Sequence, residues 1–423
     1  MISLSLCALL CGVMVYLAFS SWRRRKRSGR EGLLQVPSRV LLGVRSIIFM
    51  VCGVALLAAC FVPFLVFFAA CLAGTAVVGL CCVPAMRHRR STDFGVSVLV
   101  SVAAFGAAIL QPLGLKVMLL PTAANLPYQP ISSRVLKTYD AGLAFEGIAA
   151  GSDGTLYLTG NRNLNFNVSD YYRKASGVLI ARAPSGSERV LFQTPIGTTA
   201  GMIAVDADGT IFMTSHGEVS GVWKIGRREA PKMISRLPGG AWPNGIAFGP
   251  DGQLYSADSS LAAIWKIDPS SGHAAQVIAD KALAARPFIA LAPGANGIQF
   301  KGRQMIVTVS DSAEALSYEL NSAGHFGRAK VLAKGVPGDD FAINSDGSIF
   351  VTTHPYDTLV RIDERGKRTL VGDNRQHIVG ATAAAFGRGT FDRATLYVVT
   401  DGGAFTKGPE ARGQLVALYP QGQ

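Results

Sequence analysis

The sequence predicts an all-β, six-bladed β-propeller over residues 121–423, preceded by an α-helical transmembrane segment of about four helices over residues 1–120. Two observations predict the propeller. One strand–turn–strand unit occurs six times, and each copy continues with two more strand-like runs. Four strands per unit and a period of about 45 residues are typical of propeller blades. Long apolar runs up to residue 120, with Lys116 as their only charged residue, predict the membrane segment.

The apolar runs and the basic clusters beside them set the expected topology. Residues 2–19 are about one bilayer long, residues 46–86 are long enough for two spans that meet near Pro63, and residues 95–120 give a fourth. Basic clusters follow the first run and the paired runs, and such clusters prefer the cytoplasm. Four spans place both clusters inside. We therefore expect a multi-pass protein of the cell (inner) membrane with the propeller on the extracytoplasmic side.

Composition supports this division and excludes other classes of protein. Hydrophobic residues make up 49% of the chain and charged residues only 16%. The net charge is +13, but residues 1–94 hold 11 Lys and Arg against two Asp and Glu, so the excess flanks the membrane segment. We therefore expect no nucleic-acid partner. All seven cysteines precede residue 90, which excludes disulfides and a Cys-based zinc site in the propeller.

The six copies of the unit begin 55, 43, 52, 43 and 43 residues apart. Each blade has two apolar faces, so blades are expected to stack radially into a ring. Residues 134–138 precede the first copy and are expected to complete the sixth blade beside residues 413–420. A β-sandwich or two smaller domains is the alternative, which six copies of one pattern disfavour. The copies are residues 146–160, 201–216, 244–259, 296–312, 339–354 and 382–403.

The first residue of each copy is a candidate ligand, and we call these six positions the slots. In a propeller the first strand of each blade lines the central channel, so its leading end lies at one mouth. Four slots carry a carboxylate or carboxamide oxygen, and none is Cys or His. A hard divalent cation, of which Ca²⁺ fits best, prefers such oxygens. Taken singly, Asn-Gly and Asp-Gly are common turn formers, which is the alternative interpretation. The slots are Glu146, Gly201, Asn244, Asn296, Asp339 and Thr382.

The propeller region resembles the calcium-dependent six-bladed propellers of the gluconolactonase, regucalcin and luciferin-regenerating-enzyme family. Paraoxonases and strictosidine synthase-like proteins are its more distant relatives. The matching motifs are the Glu-Gly of the first copy, PNGIAFGPDGQLYSADS, ANGIQF and PGDDFAINSDGSIFVTTH. The resemblance implies that Glu146, Asn244, Asn296 and Asp339 bind the metal. It also aligns Asp340 with a further oxygen ligand of paraoxonase-like members.

Members of this family mostly hydrolyse lactones or related esters, so the resemblance implies a metal-dependent hydrolase. The metal would polarise the carbonyl, and Asp339 would be both ligand and base for the attacking water. Paraoxonases use a histidine where this chain has Ala200 or Gly201. His216 and His354 both end second strands, and either could face the mouth or be structural. We prefer His216 as the accessory base, so the predicted catalytic residues are Asp339 and His216.

Two other classes of function remain open. The propeller could bind a ligand or protein without catalysis, because fold does not decide function. A transporter or sensor is disfavoured because the apolar runs contain no acidic residue. The expected partners are the membrane and a small lactone or ester. The long insert at residues 161–177, with Phe166, Tyr171 and Tyr172, is expected to cover the mouth or pack on its rim.

Overall fold

The computed structural model of the protein describes residues 120–166, 171–286, 290, 292–390 and 392–420. These residues belong to the compact unit Val117–Gln423. The predicted spans before Leu120 lie outside the described residues. Within the described part of the chain, no helix is long and apolar enough to cross a membrane.

The strands form consecutive antiparallel four-stranded blades. Blade 1 is β2 (Leu143–Ala150), β3 (Leu156–Arg162), β4 (Ser176–Arg182) and β5 (Glu188–Gln193). Blade 2 is β6 (Thr198–Val205), β7 (Ile211–Gly217), β8 (Gly221–Ile225) and β9 (Lys232–Arg236). Blade 3 is β10 (Pro243–Phe248), β11 (Leu254–Asp258), β12 (Ala263–Ile267) and β13 (Ala274–Ala279).

The second half of the chain repeats the pattern. Blade 4 is β14 (Ala295–Lys301), β15 (Gln304–Val309), β16 (Glu314–Glu319) and β17 (Lys330–Lys334). Blade 5 is β18 (Phe341–Ile343), β19 (Ile349–Thr353), β20 (Thr358–Ile362) and β21 (Arg368–Gly372). Blade 6 is β22 (Ala381–Phe386), β23 (Leu396–Thr400), β24 (Gln414–Tyr419) and β1 (Ser132–Thr138). Short helical turns lie at Ala123–Asn125, Lys281–Leu283, Asn374–Gln376, Ala404–Lys407 and Gly408–Glu410.

The innermost strands close a ring. Each contacts the innermost strand of the next blade, in the order β2, β6, β10, β14, β18 and β22, and β22 contacts β2 again. The N-terminal strand β1 pairs antiparallel with β24, with Ser132 opposite Tyr419 and Thr138 opposite Gln414. This confirms the predicted closure of the sixth blade. Blades 1 and 2 are also joined by a single parallel bridge between Ser176 and Thr198.

The core consists of apolar layers between neighbouring blades. Between blades 1, 2 and 3, Phe145, Leu158, Phe212 and Leu254 are at most 1% exposed and belong to one cluster. They lie on one face of β2, β3, β7 and β11. Because successive side chains of a strand point to opposite faces, alternate residues of each strand are buried on opposite sides. Full burial of one such side chain stabilises the fold by about 1.5–3 kcal/mol. The layers thus pack neighbouring blades against one another.

Candidate functional site

The slots lie at irregularities of the inner strands. The pairing of first and second strands shifts register between Phe145 and Gly147 in blade 1, at Glu146 itself. Equivalent shifts interrupt the pairing at the slots of blades 2, 3, 4 and 6. A bulge of this kind re-aims a side chain away from the regular alternation of the strand. In blade 5 the slot precedes β18, and Asp339 and Asp340 are held by backbone hydrogen bonds to Thr352.

Buried threonines fix the backbone of four slots. In each case a second-strand hydroxyl donates to the slot carbonyl of the next blade, which ties neighbouring blades together at the mouth. A hydrogen bond of this kind contributes about 0.5–1.5 kcal/mol. Blades 3 and 6 have Ala257 and Val399 at this position and lack the hydroxyl. The four bonds are Thr159 to Gly201 at 2.6 Å, Thr214 to Asn244 at 2.7 Å, Thr308 to Asp339 at 2.9 Å, and Thr352 to Thr382 at 2.7 Å.

Two of the predicted ligands touch directly. The Asn296 Nδ2–H group donates to Asp339 Oδ1 at 2.7 Å and to Ser310 Oγ at 2.9 Å. The backbone N–H of Gly297 donates to the Asp339 carbonyl at 2.8 Å. Glu146 lies close enough for the Asp339 charge to raise its pKa. Asn296 and Asp339 are therefore in direct contact, and Glu146 lies within electrostatic range of Asp339.

Asn244 lies on β10, the inner strand of blade 3, next to the inner strand β14 that carries Asn296. Its side chain is buried, and Nδ2 donates to Ser259 Oγ at 3.4 Å. A Cβ on the next residue, Gly245, would lie 2.4 Å from the Asn296 carbonyl oxygen, so the slots of blades 3 and 4 are neighbours. Gly245 and Gly297 lie within strands and do not have positive φ. The Asn-Gly pairs therefore serve close approach of the inner strands, and their interpretation as turn formers is wrong.

The carboxyl groups at this mouth are costly to ionise. Burial, followed by the charge of Asp339, raises the pKa of Glu146 to about 8. Burial also raises the pKa of Asp340 to about 8. Burial raises the pKa of Asp339 to about 6, although His354 and the Asn296 hydrogen bond favour its charged form. Like charges in a desolvated site repel, and a cation between them would favour ionisation of all three.

Two further residues join this site. His354 Nδ1 is 3.7 Å from Asp339 Oδ2, and its Nε2 is 2.9 Å from Asp401 Oδ2. Burial alone would lower the pKa of His354, but the carboxylates of Asp401, Asp339 and Glu146 outweigh it and raise this pKa to about 9. The sequence ranked His354 below His216 and did not single out Asp401. Both residues directly follow second strands, β19 and β23, and that shared position is the signal that could have identified them.

His216 lies among aromatic rings. Its imidazole stacks on Trp242 with centroids 4.6 Å apart and meets Tyr172 edge-on at 5.0 Å. Burial lowers the pKa of His216 to about 4, and the charge of Asp258 opposes this only in part. The ring is thus neutral near pH 7, and its role as accessory base remains a prediction. Asp258 accepts hydrogen bonds from the backbone N–H groups of Ser260 and Leu261.

The donor set fits a hard divalent cation. Among the described residues, no three His, Cys, Asp or Glu side chains form a metal-binding group by themselves. The slots, however, combine the carboxylates of Glu146 and Asp339 with the amide oxygens of two asparagines. One of these amide oxygens, Asn296 Oδ1, is buried without a hydrogen-bond partner. A buried oxygen in this state costs about 1–3 kcal/mol, which a bound cation would offset. The oxygens of Glu146, Asn244, Asn296 and Asp339 match the preference of Ca²⁺.

Comparison with known proteins shows the fold. No protein-family model matches the chain, and no curated protein matches it. A luciferin-regenerating enzyme matches with a TM-score of 0.51 and 12% identity over 69% of this chain and 96% of that one. A candidate gluconolactonase matches with a TM-score of 0.50 and 16% identity over 71% of this chain and 96% of that one. At these low identities the similarity establishes the fold alone: the described part of the chain is a β-propeller of the type found in these proteins.

Proposed function

We propose that the protein is a membrane-anchored, extracytoplasmic hydrolase of lactones or related esters that depends on a divalent cation, with Ca²⁺ as the best fit. The observation that carries this proposal is the hydrogen bond between Asn296 and Asp339, two slots of neighbouring blades, together with the buried Asn296 oxygen that lacks a partner and the influence of the Asp339 charge on Glu146. The similarity of the fold to a gluconolactonase-type propeller supports the reaction class.

Glu146, Asn244, Asn296 and Asp339 would hold the ion. When bound, it would polarise the carbonyl of the substrate and stabilise negative charge on that oxygen. Its positive charge would also keep the surrounding carboxylates ionised in a site that otherwise disfavours their charge.

Asp339 is the proposed base. Its Oδ2 would accept a proton from the attacking water while Oδ1 stays fixed by the Asn296 amide. When protonated, the His354 imidazole, 3.7 Å from Oδ2, would favour the ionised carboxylate that a base requires. Asp401 holds the imidazole in this orientation through Nε2. His354 and Asp401 thus position Asp339 and favour its ionised form, and neither replaces it as the base.

The test uses the full-length protein in detergent with a panel of small lactones and aryl esters. We expect hydrolysis that chelator abolishes and Ca²⁺ restores. Asp339→Asn should lower kcat/KM by about 10²–10⁴-fold, the usual contribution of a general base. The matched control is Asp346→Asn, because Asp346 is a half-exposed turn carboxylate seven residues later in the same blade. Chelator-resistant hydrolysis would contradict the proposal, and metal binding without turnover would favour the non-catalytic propeller.

The membrane location is a second part of the proposal. Residues 2–19, 46–86 and 95–120 would cross the membrane, and the propeller would lie outside the cytoplasm. A reporter that is active only outside the cytoplasm, fused after residue 423, should be active. A reporter that is fluorescent only in the cytoplasm, fused at the same place, should be dark. The reverse pattern would contradict the proposed topology.

A further inference from the structure

Aromatic side chains form a continuous array beside the acidic slots. We call this array the aromatic wall, and its members come from connections of blades 1, 5 and 6, from the end of β7, and from the segment that enters blade 3. Successive ring centroids lie 4.1–5.6 Å apart. In spatial order the rings are those of His354, Phe405, Phe166, Tyr171, Tyr172, His216 and Trp242.

The wall borders the reacting centre at two points. At one end, His354 contacts both Phe405 and the Asp339 carboxylate. Near the middle, Tyr171 is close enough to Glu146 for that carboxylate to help raise the pKa of the tyrosine. A substrate whose carbonyl lies at Glu146 and Asp339 would therefore place its substituent against these rings.

The rings are more exposed than the apolar layers of the blades, although Phe166 packs against a small buried cluster that includes Ala144 and Ala404. Phe166, Tyr171, Tyr172, Trp242 and Phe405 are each only partly buried, although large aromatic side chains of the core are almost fully buried. They lie in connections between strands, where binding residues are concentrated. Half-buried aromatic rings on the rim of a charged pit have the character of a ligand-binding surface.

The wall favours one chemistry over another. Ring faces stack on aryl groups and pack against alkyl chains, and each buried methylene should raise kcat/KM by roughly fourfold. A polyhydroxylated sugar lactone would turn several hydroxyl groups toward ring faces that offer no hydrogen bond. The wall should therefore favour lactones with an apolar substituent over sugar lactones.

We propose that the aromatic wall is a binding subsite for the aryl or alkyl substituent of a hydrophobic lactone or ester. This proposal rests on the proposed function, whose reacting centre the wall borders. Phe405 and Trp242, which come from blades on opposite sides of Tyr171, determine the preference for that substituent. Sugar lactones are correspondingly poor substrates.

The kinetic test compares an unsubstituted six-membered lactone, the same ring with a phenyl or hexyl substituent, and glucono-δ-lactone. The enzyme is the full-length protein as wild type, Phe405→Leu, Trp242→Leu and the control Phe192→Leu. Phe192 is an aromatic residue of β5 that contacts Trp223 in a tilted arrangement outside the wall. Wild type should prefer the phenyl lactone at least tenfold over the unsubstituted one. The two wall variants should lose at least tenfold on the substituted lactones and less than threefold on the unsubstituted one, and the control should retain both.

A binding test separates the subsite from the reaction. The probe is 2-phenylcyclohexanone, a cyclic ketone that cannot be hydrolysed, with cyclohexanone as its unsubstituted match. Wild type and Phe192→Leu should bind the phenyl ketone at least tenfold more tightly than Phe405→Leu or Trp242→Leu do. Binding of the ketone without turnover of any lactone would refute the proposed hydrolase and keep the subsite. Turnover with no preference for the substituent, or equal losses on all lactones in the wall variants, would overturn the subsite.

Discussion

Gly297 allows the inner strands of blades 4 and 5 to approach closely, and we predict that Gly297→Ala destabilises the protein. A Cβ at this position would lie 2.8 Å from the Asp339 carbonyl oxygen, 2.8 Å from Asp340 Oδ1 and 2.9 Å from Asp340 Cα. Two of these atoms belong to the backbone, which cannot move by a rotamer change. Overpacking of this kind costs about 1–3 kcal/mol. The shift should also separate Asn296 from Asp339 and weaken cation binding.

The matched control for this change is Gly239→Ala. A Cβ at Gly239 would have no heavy atom within 4 Å, and this glycine is not among those with positive φ. Unfolding in urea, followed by near-ultraviolet circular dichroism, should give a lower midpoint for Gly297→Ala and an unchanged midpoint for Gly239→Ala. Equal midpoints for the two variants would refute the argument that close approach of these strands requires glycine.

Three further predictions test the supports of the site and the fold. Thr352→Val should cost about 1–3 kcal/mol of unfolding free energy, because the buried Thr382 carbonyl loses its hydroxyl donor while the volume is kept; an unchanged urea midpoint would argue against a structural role for these threonines. Burial alone would raise the pKa of Glu188, but hydrogen bonds from Lys137, Tyr139 and Arg182 outweigh it and lower this pKa below its usual 4.5. Its stabilisation is therefore fully present above that unfolded value and is lost as pH falls through the lower folded pKa, and Glu188→Gln should flatten this acid limb of the stability profile. Asp401→Asn should lower the pKa of His354, measured by NMR titration, and should reduce kcat with little change in KM; an unchanged titration would contradict the positioning role.

The repeat pattern was sufficient to predict the architecture. Strands with alternating apolar residues and Asp-Gly turns recur in register, so the propeller and the closure by β1 follow from local sequence. The same register identified Glu146, Asn296 and Asp339, because symmetry-related positions of a ring meet at its axis. The roles assigned to these residues remain predictions, as do the membrane spans outside the described residues.

Other features of the site depend on contacts that a linear pattern does not reveal. His354 and Asp401 come from different blades, and the packing of blade 5 against blade 6 brings their side chains within hydrogen-bond distance. Phe405 meets Phe166 across the junction of blades 6 and 1, and both lie in connections between strands, where the strand periodicity gives no signal. The alternative interpretation of Asn-Gly as a turn former does not apply at Gly245, because a side chain there would meet the neighbouring strand at the Asn296 carbonyl.

Calcium binding to the full-length protein, measured by isothermal titration after removal of bound metal, tests the central claim most directly. We expect one ion per chain in the wild type and in Asp346→Asn. Glu146→Gln and Asp339→Asn should each weaken binding by at least tenfold, since each removes one of the two carboxylates proposed as ligands. Absence of binding in the wild type, or affinities that these two variants leave unchanged, would contradict the proposal that the slots form one metal site.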